Sequence, residues 1–306
     1  MTTKDLPSLS HEGITYRRQF ADTGSKNDLD CNLTELRVAS DATNNNPDES
    51  QDNGSVDSIG FTRHPDSWAH LLRYYYCGRI LDKLEPANVL DVGCGELQLP
   101  WFLNKNRFRP KNRDMQYVGI ELRGKEAWLA QQVNDAPKYR YKAHMTLARG
   151  DIVRDDFSGV PGWSVSGFDV TICLEMMEHI PREHFAPTFK RLYDWTKPGG
   201  TLILSTPNAG VSVSAAENHH GSDGICREWS YDDKLRIAKE VGFELVDVFG
   251  TFTGVTYLPA EVREKIKTDP ALSAMKRFFD TSLFNSIIAA GYPAHSNNSL
   301  MHFKKP

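Results

Sequence analysis

Apolar residues in this chain cluster in short runs bounded by turn residues. NVLDVG (88–93), YVGIE (117–121), FDVTICLE (168–175), TLILSTP (201–207) and FELVDVFG (243–250) are too short for helices and rich in Val, Ile and Leu. That is the composition of strands buried on both faces. Between them, stretches at about 97–104, 124–133, 182–196 and 230–241 are compatible with helix. A longer helix precedes them: Asp66 or Ser67 can cap it, Trp68, Leu71, Leu72, Tyr75, Leu81 and Leu84 recur largely at helical spacing, and Pro86 stands beyond its end. Alternation of strand and helix predicts an α/β fold, a doubly wound, mostly parallel sheet with helices on both faces. The end of the chain departs from the pattern, because 259–290 reads as two or three successive helices and SLMHFKK (299–305) as a final strand. No internal repeat at a fixed period is present.

Composition changes the picture at the N-terminus. Residues 21–58 contain nine acids against Lys26 and Arg37, only nine apolar residues and no aromatic. Such a segment cannot bury enough surface to offset the entropy of ordering it, so residues 1–60 are expected to form a disordered acidic arm ahead of one folded domain, 61–306. The arm is the source of the acidic balance: 21–58 carries −7 and 1–20 carries +1 of a formal net charge of −4, which leaves 59–306 at +2. The folded part is thus close to neutral, and its charge does not mark it as a nucleic-acid binder. Five cysteines without a CxxC pair argue against a disulfide framework or a zinc knuckle. No apolar run approaches the roughly 18 residues of a membrane span, and the first residues lack the apolar core of a signal peptide. A cytoplasmic protein without a membrane partner is the expectation; the oligomeric state is not legible.

VLDVGCGELQL (89–99) sets an acid and a GxG turn between a strand and a helix. Glycines there let a ligand touch the backbone and leave N–H groups pointing at it. A dinucleotide fingerprint needs a third glycine where Gln98 stands, and Asp91 repels a pyrophosphate but suits a ligand carrying an ammonium group. Glu121 ends the second strand, where a carboxylate can accept both hydroxyls of a ribose. In ARGDI (148–152), Asp151 ends a third strand and can accept the exocyclic amine of adenine, with Ile152 packing on the ring. A fourth strand ends in Glu175. Gly93 and Gly95 also satisfy a simple packing turn, and Glu121 an exposed strand end.

DVGCG (91–95), Glu121, GDI (150–152), LEMMEHI (174–180) and KPGGTLILSTPN (197–208), in this order, resemble the class I S-adenosylmethionine-dependent methyltransferases from about residue 65 to 250. The resemblance implies a Rossmann-like, seven-stranded sheet and S-adenosylmethionine as cofactor. It also implies that Asp91, Gly93, Cys94 and Gly95 face the methionine part, Glu121 the ribose, and Asp151 with Ile152 the adenine. EMMEHI, STPN and the later REW (227–229) are similar to the small-molecule branch typified by ubiquinone-biosynthesis O-methyltransferases. Gly221 to Cys226 separate His219 and His220 from that last stretch, a departure from the branch's spacing.

Glu175, Glu178 and His179 stand at i, i+3 and i+4, which on a helical turn puts them on one face. Three readings stay open. Glu175 lies beside the sulfonium as a cofactor residue while His179, with Glu178, forms the catalytic pair and His179 acts as general base. Alternatively, the three with His219 or His220 coordinate a divalent cation such as Mg2+, as in the terminal 2′-O-methyltransferases of small RNAs that the arrangement resembles. Or the trio is structural, with both side chains satisfied locally. Basic residues in NKNRFRPKNRDMQ (104–116) and KYRYK (138–142) interleave with aromatics, a footprint of single-stranded nucleic acid or simply of solvated loops. A helical insertion at about 252–297 resembles nothing nameable; its apolar residues fit a core, and it could line an acceptor pocket. The expected activity is methyl transfer to a hydroxyl, or second an amine, of a small molecule. The alternatives are a metal-dependent RNA or nucleotide methyltransferase and a non-catalytic cofactor-binding subunit.

Overall fold

The computed structural model describes residues 34–36, 67–95, 97–105, 115–122, 143–211 and 228–306. They fall into two compact units. One holds Gly78–Val165 and the short strand β1 (Thr34–Leu36); the other holds Pro65–Cys77 and Ser166–Pro306. Apart from β1, the segment 1–60 lies outside the described residues, as does the helix-compatible stretch at 124–133. Among the described residues no helix is long and apolar enough to cross a membrane.

In the first unit the strands β2 (Asn88–Val92), β3 (Met115–Glu121) and β4 (Ala143–Arg149) are parallel, in the order β4-β3-β2, with β1 added antiparallel to β4. Val89, Leu90, Val92, Val118, Ile120 and Leu147 are buried, the near-continuous apolar character of strands covered on both faces. Helix α1 (Ser67–Leu84) ends where Glu85 adopts a left-handed φ of 47° and donates its N–H to the Leu81 carbonyl, with Pro86 barring continuation. Helix α2 (Gln98–Lys105) follows β2 directly and buries Leu99, Phe102 and Leu103.

The second unit contains β5 (Phe168–Leu174), β6 (Thr196–Pro207), β7 (Glu244–Phe252) and β8 (Asn298–Lys304), in the order β5-β6-β8-β7. β5 and β6 are parallel, and β8 runs antiparallel to both β6 and β7. The seven strands β2–β8 therefore run parallel within their units save for β8, and the fold is the Rossmann-like α/β class. Helix α3 (Arg182–Trp195) buries Phe185, Phe189 and Leu192. Helix α4 (Tyr231–Val241) starts on the Ser230 side chain, which accepts the Asp233 N–H, and stops at Gly242 with φ 107°. Phe189 packs edge-on against both Phe243 and Phe303, so α3, β7's approach and β8 share one aromatic core.

The segment expected to hold two or three helices has three: α5 (Ala260–Thr268), α6 (Pro270–Phe278) and α7 (Thr281–Ala289). Asp269 caps α6, with Pro270 at its first position, and Asp280 caps α7. Leu258, Val262, Ile266 and Phe284 form a core of their own, joined by Leu272, Met275, Phe279 and Ile288. Most of the insertion's apolar residues are thus core residues, but Phe278, 85% exposed, and Ile287 lie at the surface. Gly250 on β7 lies where a Cβ would fall on Ser296 Oγ and the Ala289 carbonyl, so the strand packs backbone to backbone against the end of α7. Gly250→Ala should destabilise the protein by about 3 kcal/mol, the cost of forced overpacking. Chemical denaturation checks this, and an unchanged midpoint would show that the α7 end gives way freely.

Candidate functional site

Within the first unit, the carboxyl ends of β2, β3 and β4 present Asp91, the Gly93–Gly95 turn, Glu121 and Asp151 along one edge. Open parallel sheets bind ligands at that edge. β2 ends at Val92, and Gly93 and Gly95 then take left-handed φ values of 73° and 51°. The N–H groups of Gly93 and Cys94 donate to the Ile120 carbonyl, and that of Gly95 donates to Glu121 Oε2 at 2.9 Å. A Cβ at Gly95 would meet nothing within 4 Å, so glycine is required there by backbone conformation and the space beside it is open.

Asp91 is only 4% exposed and accepts a hydrogen bond from the Tyr117 hydroxyl. Burial pushes its carboxyl up to about 7, the charge of Glu121 adds to the rise, and the Tyr117 hydrogen bond opposes it. Burial, with the charges of Asp91 and Glu121, likewise pushes the Cys94 thiol well above its ordinary value, which makes it a packing residue and not a nucleophile. Asp151 is buried at the turn after β4. Its Oδ1 accepts the Val153 N–H at 2.7 Å, its own N–H donates to Asp155 Oδ2, and Arg154 lies 3.6 Å from Oδ2. Ile152 beside it is buried.

The second unit carries the EMMEH segment. Glu175 follows β5 with a left-handed φ of 53°, uncommon for a residue with a side chain. Its carboxylate accepts from Ser205 Oγ and from Asn298 Nδ2, and Arg73 Nη1 approaches to 3.4 Å. Glu178 is buried and accepts from Thr206 Oγ1 at 2.9 Å. Only Met177–His179 forms a helical turn, of the tight 3-10 type, and the His179 N–H donates to Met176 O. Consecutive strand residues point to opposite faces, so acids bound to Ser205 and Thr206 lie on different sides of β6. The single-face arrangement expected from helical spacing is therefore not formed, because Glu175 precedes the turn and its backbone reverses there. Among the described residues no group of three or more His, Cys, Asp or Glu side chains could hold a metal ion. His219 and His220 lie outside the described residues, as do most of 104–116 and all of KYRYK.

Residues that the sequence reading passed over complete the second unit's polar cluster. Arg73, 2% exposed, also donates to Thr251 Oγ1. Lys234, fully buried in α4, donates to the carbonyls of Thr206 and Pro207, to Asn208 Oδ1 and to Ser299 Oγ. Burial pushes its ammonium down to about 7, against the pull of Glu175, Glu178 and Glu228. Asn208 in turn donates to the carbonyls of Pro293 and Ser296. Of the REW stretch, Arg227 lies outside the described residues, and Trp229 joins here: Asn208 bridges it, and it stacks on Phe185 and lies under Arg182. A signal existed for both buried cations. Arg73 falls at four-residue spacing between buried Ala69 and Cys77, and Lys234 three and four residues before buried Ile237 and Ala238.

A family model for a methyltransferase domain matches residues 68–248, more than half of the chain. The small RNA 2′-O-methyltransferase of Rattus norvegicus is 27% identical over 143 residues, 45% of this chain and 33% of that protein. The chain thus spans about a third of that relative's length. The ubiquinone biosynthesis O-methyltransferase of Alkalilimnicola ehrlichii is 27% identical over 220 residues, 68% of this chain and 79% of that protein. Among solved structures, the methyltransferase domain of bacterial CtHen1-C aligns with a TM-score of 0.46 at 17% identity, covering 78% of this chain and 98% of that one.

Asp91 keeps its proton up to about 7 when folded, against an ordinary value of 3.8. The folded state then binds more protons than the unfolded across that window, so stability falls as pH rises through it. Asn cannot ionise. Asp91→Asn should therefore gain on the parent protein between about pH 5 and pH 8, by on the order of 2 kcal/mol, in urea unfolding at each pH. A pH-independent difference would mean that Asp91 is ionised throughout.

Proposed function

The chain belongs to the class I S-adenosylmethionine-dependent methyltransferases, and from that premise we propose that it methylates a hydroxyl oxygen, or as second choice an amine nitrogen, of a small molecule. The observation that carries the cofactor half is the edge of the first unit, where left-handed Gly93 and Gly95 stand beside Asp91, with Glu121 and Asp151 on the next strands. This donor set fits S-adenosylmethionine chemically: a carboxylate for an ammonium group at Asp91, one for a ribose diol at Glu121, and one for an exocyclic amine at Asp151 beside apolar Ile152. Cys94 packs the turn between the two glycines. When bound, the cofactor supplies a methyl group on a positively charged sulfur.

What remains for the protein is to align the acceptor and to take its proton. Alignment of nucleophile, carbon and leaving sulfur supplies most of the acceleration, and a base matters when the acceptor is a hydroxyl that must lose its proton early. In this reading Glu178, anchored on Thr206, fixes the turn that carries His179, and His179 accepts the hydroxyl proton. Glu175 enters from the family resemblance, with its carboxylate already held by Ser205, Asn298 and Arg73. The small-molecule acceptor is supported by the extent of the ubiquinone-type match, 79% of that relative against 33% of the small-RNA one.

RNA methylation is the second reading, favoured by the name of the Rattus norvegicus relative; a cation held jointly by Glu175, Glu178, His179 and His220 is not part of it, because Glu175 and Glu178 lie on different sides of β6. The protein is to be incubated with S-adenosylmethionine labelled in the methyl group and with small-molecule, RNA, DNA and protein fractions, with and without chelator. Label in the small-molecule fraction, indifferent to chelator, is the expected result. Chelator-sensitive label in RNA would replace it with the second reading, and label in no fraction would leave a cofactor-binding subunit.

His179→Ala separates the two acceptor atoms. With a hydroxyl acceptor, kcat should fall by about 10²–10⁴, the usual worth of a general base. With an amine that arrives unprotonated, kcat should change only a few-fold, and turnover at the parent rate on a hydroxyl would remove His179 from the mechanism.

A further inference from the structure

Tyr117 has no part in the family pattern described above, yet it is fully buried and its hydroxyl is given to Asp91. The register explains how it gets there. β2 and β3 are parallel, with Asp91 opposite Gly119 and Val89 opposite Tyr117. Residues in register on neighbouring strands share a face, as do residues two apart on one strand. Asp91, Gly119 and Tyr117 therefore lie on the same face, and the position directly beside Asp91 has no side chain.

That gap is enforced. A Cβ at Gly119 would come within 2.7 Å of Leu147 Cδ2 and 2.9 Å of Cys94 Sγ. From the same face, Tyr117 delivers its hydroxyl to the Asp91 carboxylate. A buried phenol needs an acceptor, and an ionised carboxylate is a stronger one than a neutral carboxyl.

We propose that Tyr117 is a positioning residue of the cofactor site, holding the Asp91 carboxylate, as an anion, to receive the ammonium group at the amino-acid end of the cofactor. The proposal rests on the cofactor assignment made above and adds to it the residue on which the charge of Asp91 depends. Within the first unit, the titratable groups acting on Asp91 are Tyr117 and Glu121 of β3, and Asp91 in turn acts on Cys94 of the turn. Burial and Glu121 both favour the protonated carboxyl, and Tyr117 opposes them. Without its hydroxyl, Asp91 stays protonated at neutral pH and offers an ammonium group no charge. The site is thereby selective for ligands carrying a cation at that end.

The test compares S-adenosylhomocysteine, which carries the ammonium group, with 5′-methylthioadenosine, which has the adenosine and the sulfur but no amino-acid end. Calorimetric titration of the parent protein, Tyr117→Phe and Asp91→Asn is run from about pH 6 to pH 9. Tyr117→Phe should bind S-adenosylhomocysteine about tenfold more weakly than the parent at neutral pH, one pK unit's worth of ionisation, and recover most of the deficit by the alkaline end. Asp91→Asn should be weakened at every pH, and 5′-methylthioadenosine should bind all three proteins alike. A purely structural tyrosine predicts something else: loss of both ligands equally, without recovery at high pH.

That result, or parent-like binding of S-adenosylhomocysteine by Tyr117→Phe across the range, overturns the proposal. If the parent binds neither ligand, the cofactor assignment itself has failed. Should Tyr117→Phe not fold, the parent alone decides: near neutral pH, binding of S-adenosylhomocysteine but not of 5′-methylthioadenosine should release a fraction of a proton, measured in buffers of different ionisation enthalpy. Equal release for both ligands, or none, counts against the anion at Asp91.

Discussion

A carboxylate at the carboxyl end of a buried strand must be met by a donor; Asp151 finds one in its own turn, at Val153, whereas four other acids of this chain take theirs from a neighbouring segment. Asp91 on β2 takes the hydroxyl of Tyr117 on β3, and Glu121 at the end of β3 takes the N–H of Gly95 in the turn that follows β2. In the second unit, Glu175 after β5 takes Ser205 of β6 and Asn298 of β8, while Glu178 takes Thr206 of β6. Left unmet, each acid would carry the full penalty of desolvation. The strand ends are therefore coupled in pairs, and the positions of these acids are set by the register of the sheet and not by their own loops.

The coupling explains why the glycines matter in more than one way. Gly95 is glycine because its φ of 51° would strain a side chain, and the N–H it turns out is the one that reaches Glu121. Gly119 is glycine for an unrelated reason, the closeness of Leu147 and Cys94. One turns a donor toward a carboxylate, and the other makes room for Leu147 and for the Cys94 side chain of the turn.

Most of the fold could be read from the sequence because parallel strands buried on both faces leave nearly unbroken apolar runs; all five runs are strands, although β7, the last in its sheet, leaves Glu244–Asp247 exposed. β6 is longer than its apolar run: it begins at Thr196, which pairs with Phe168, and Lys197–Gly200 form an irregularity before pairing with β5 resumes at Thr201. The positions of the first-unit acids follow from the same runs, with Asp91 next to last in β2, Glu121 last in β3 and Asp151 two residues beyond β4. The EMMEH segment was not. Spacing of i, i+3 and i+4 implies one face only if the backbone is helical from the first residue, and Glu175 takes the left-handed region instead. Arg73 and Lys234 escaped because a lone cation within an apolar stripe reads as a flaw in the pattern, when it marks a buried acceptor group on the far side.

Those two cations account for how the second unit tolerates its acids. Glu175, Glu178 and Glu228 all act on Lys234, and Arg73 approaches Glu175 directly. Lys234 also serves the backbone: near its end β6 offers the carbonyls of Thr206 and Pro207, and the ammonium gathers both together with Asn208 and Ser299. An apolar residue of similar volume would pack in that space, yet it would take a donor from the Thr206 and Pro207 carbonyls and remove a positive charge that acts on Glu175, Glu178 and Glu228. The same Asn208 holds the carbonyls of Pro293 and Ser296 and bridges Trp229. One buried lysine thus connects the strand that orders Glu178 to the end of the helical insertion and to the REW stretch. A change at either of those segments reaches the EMMEH turn through hydrogen bonds already in place.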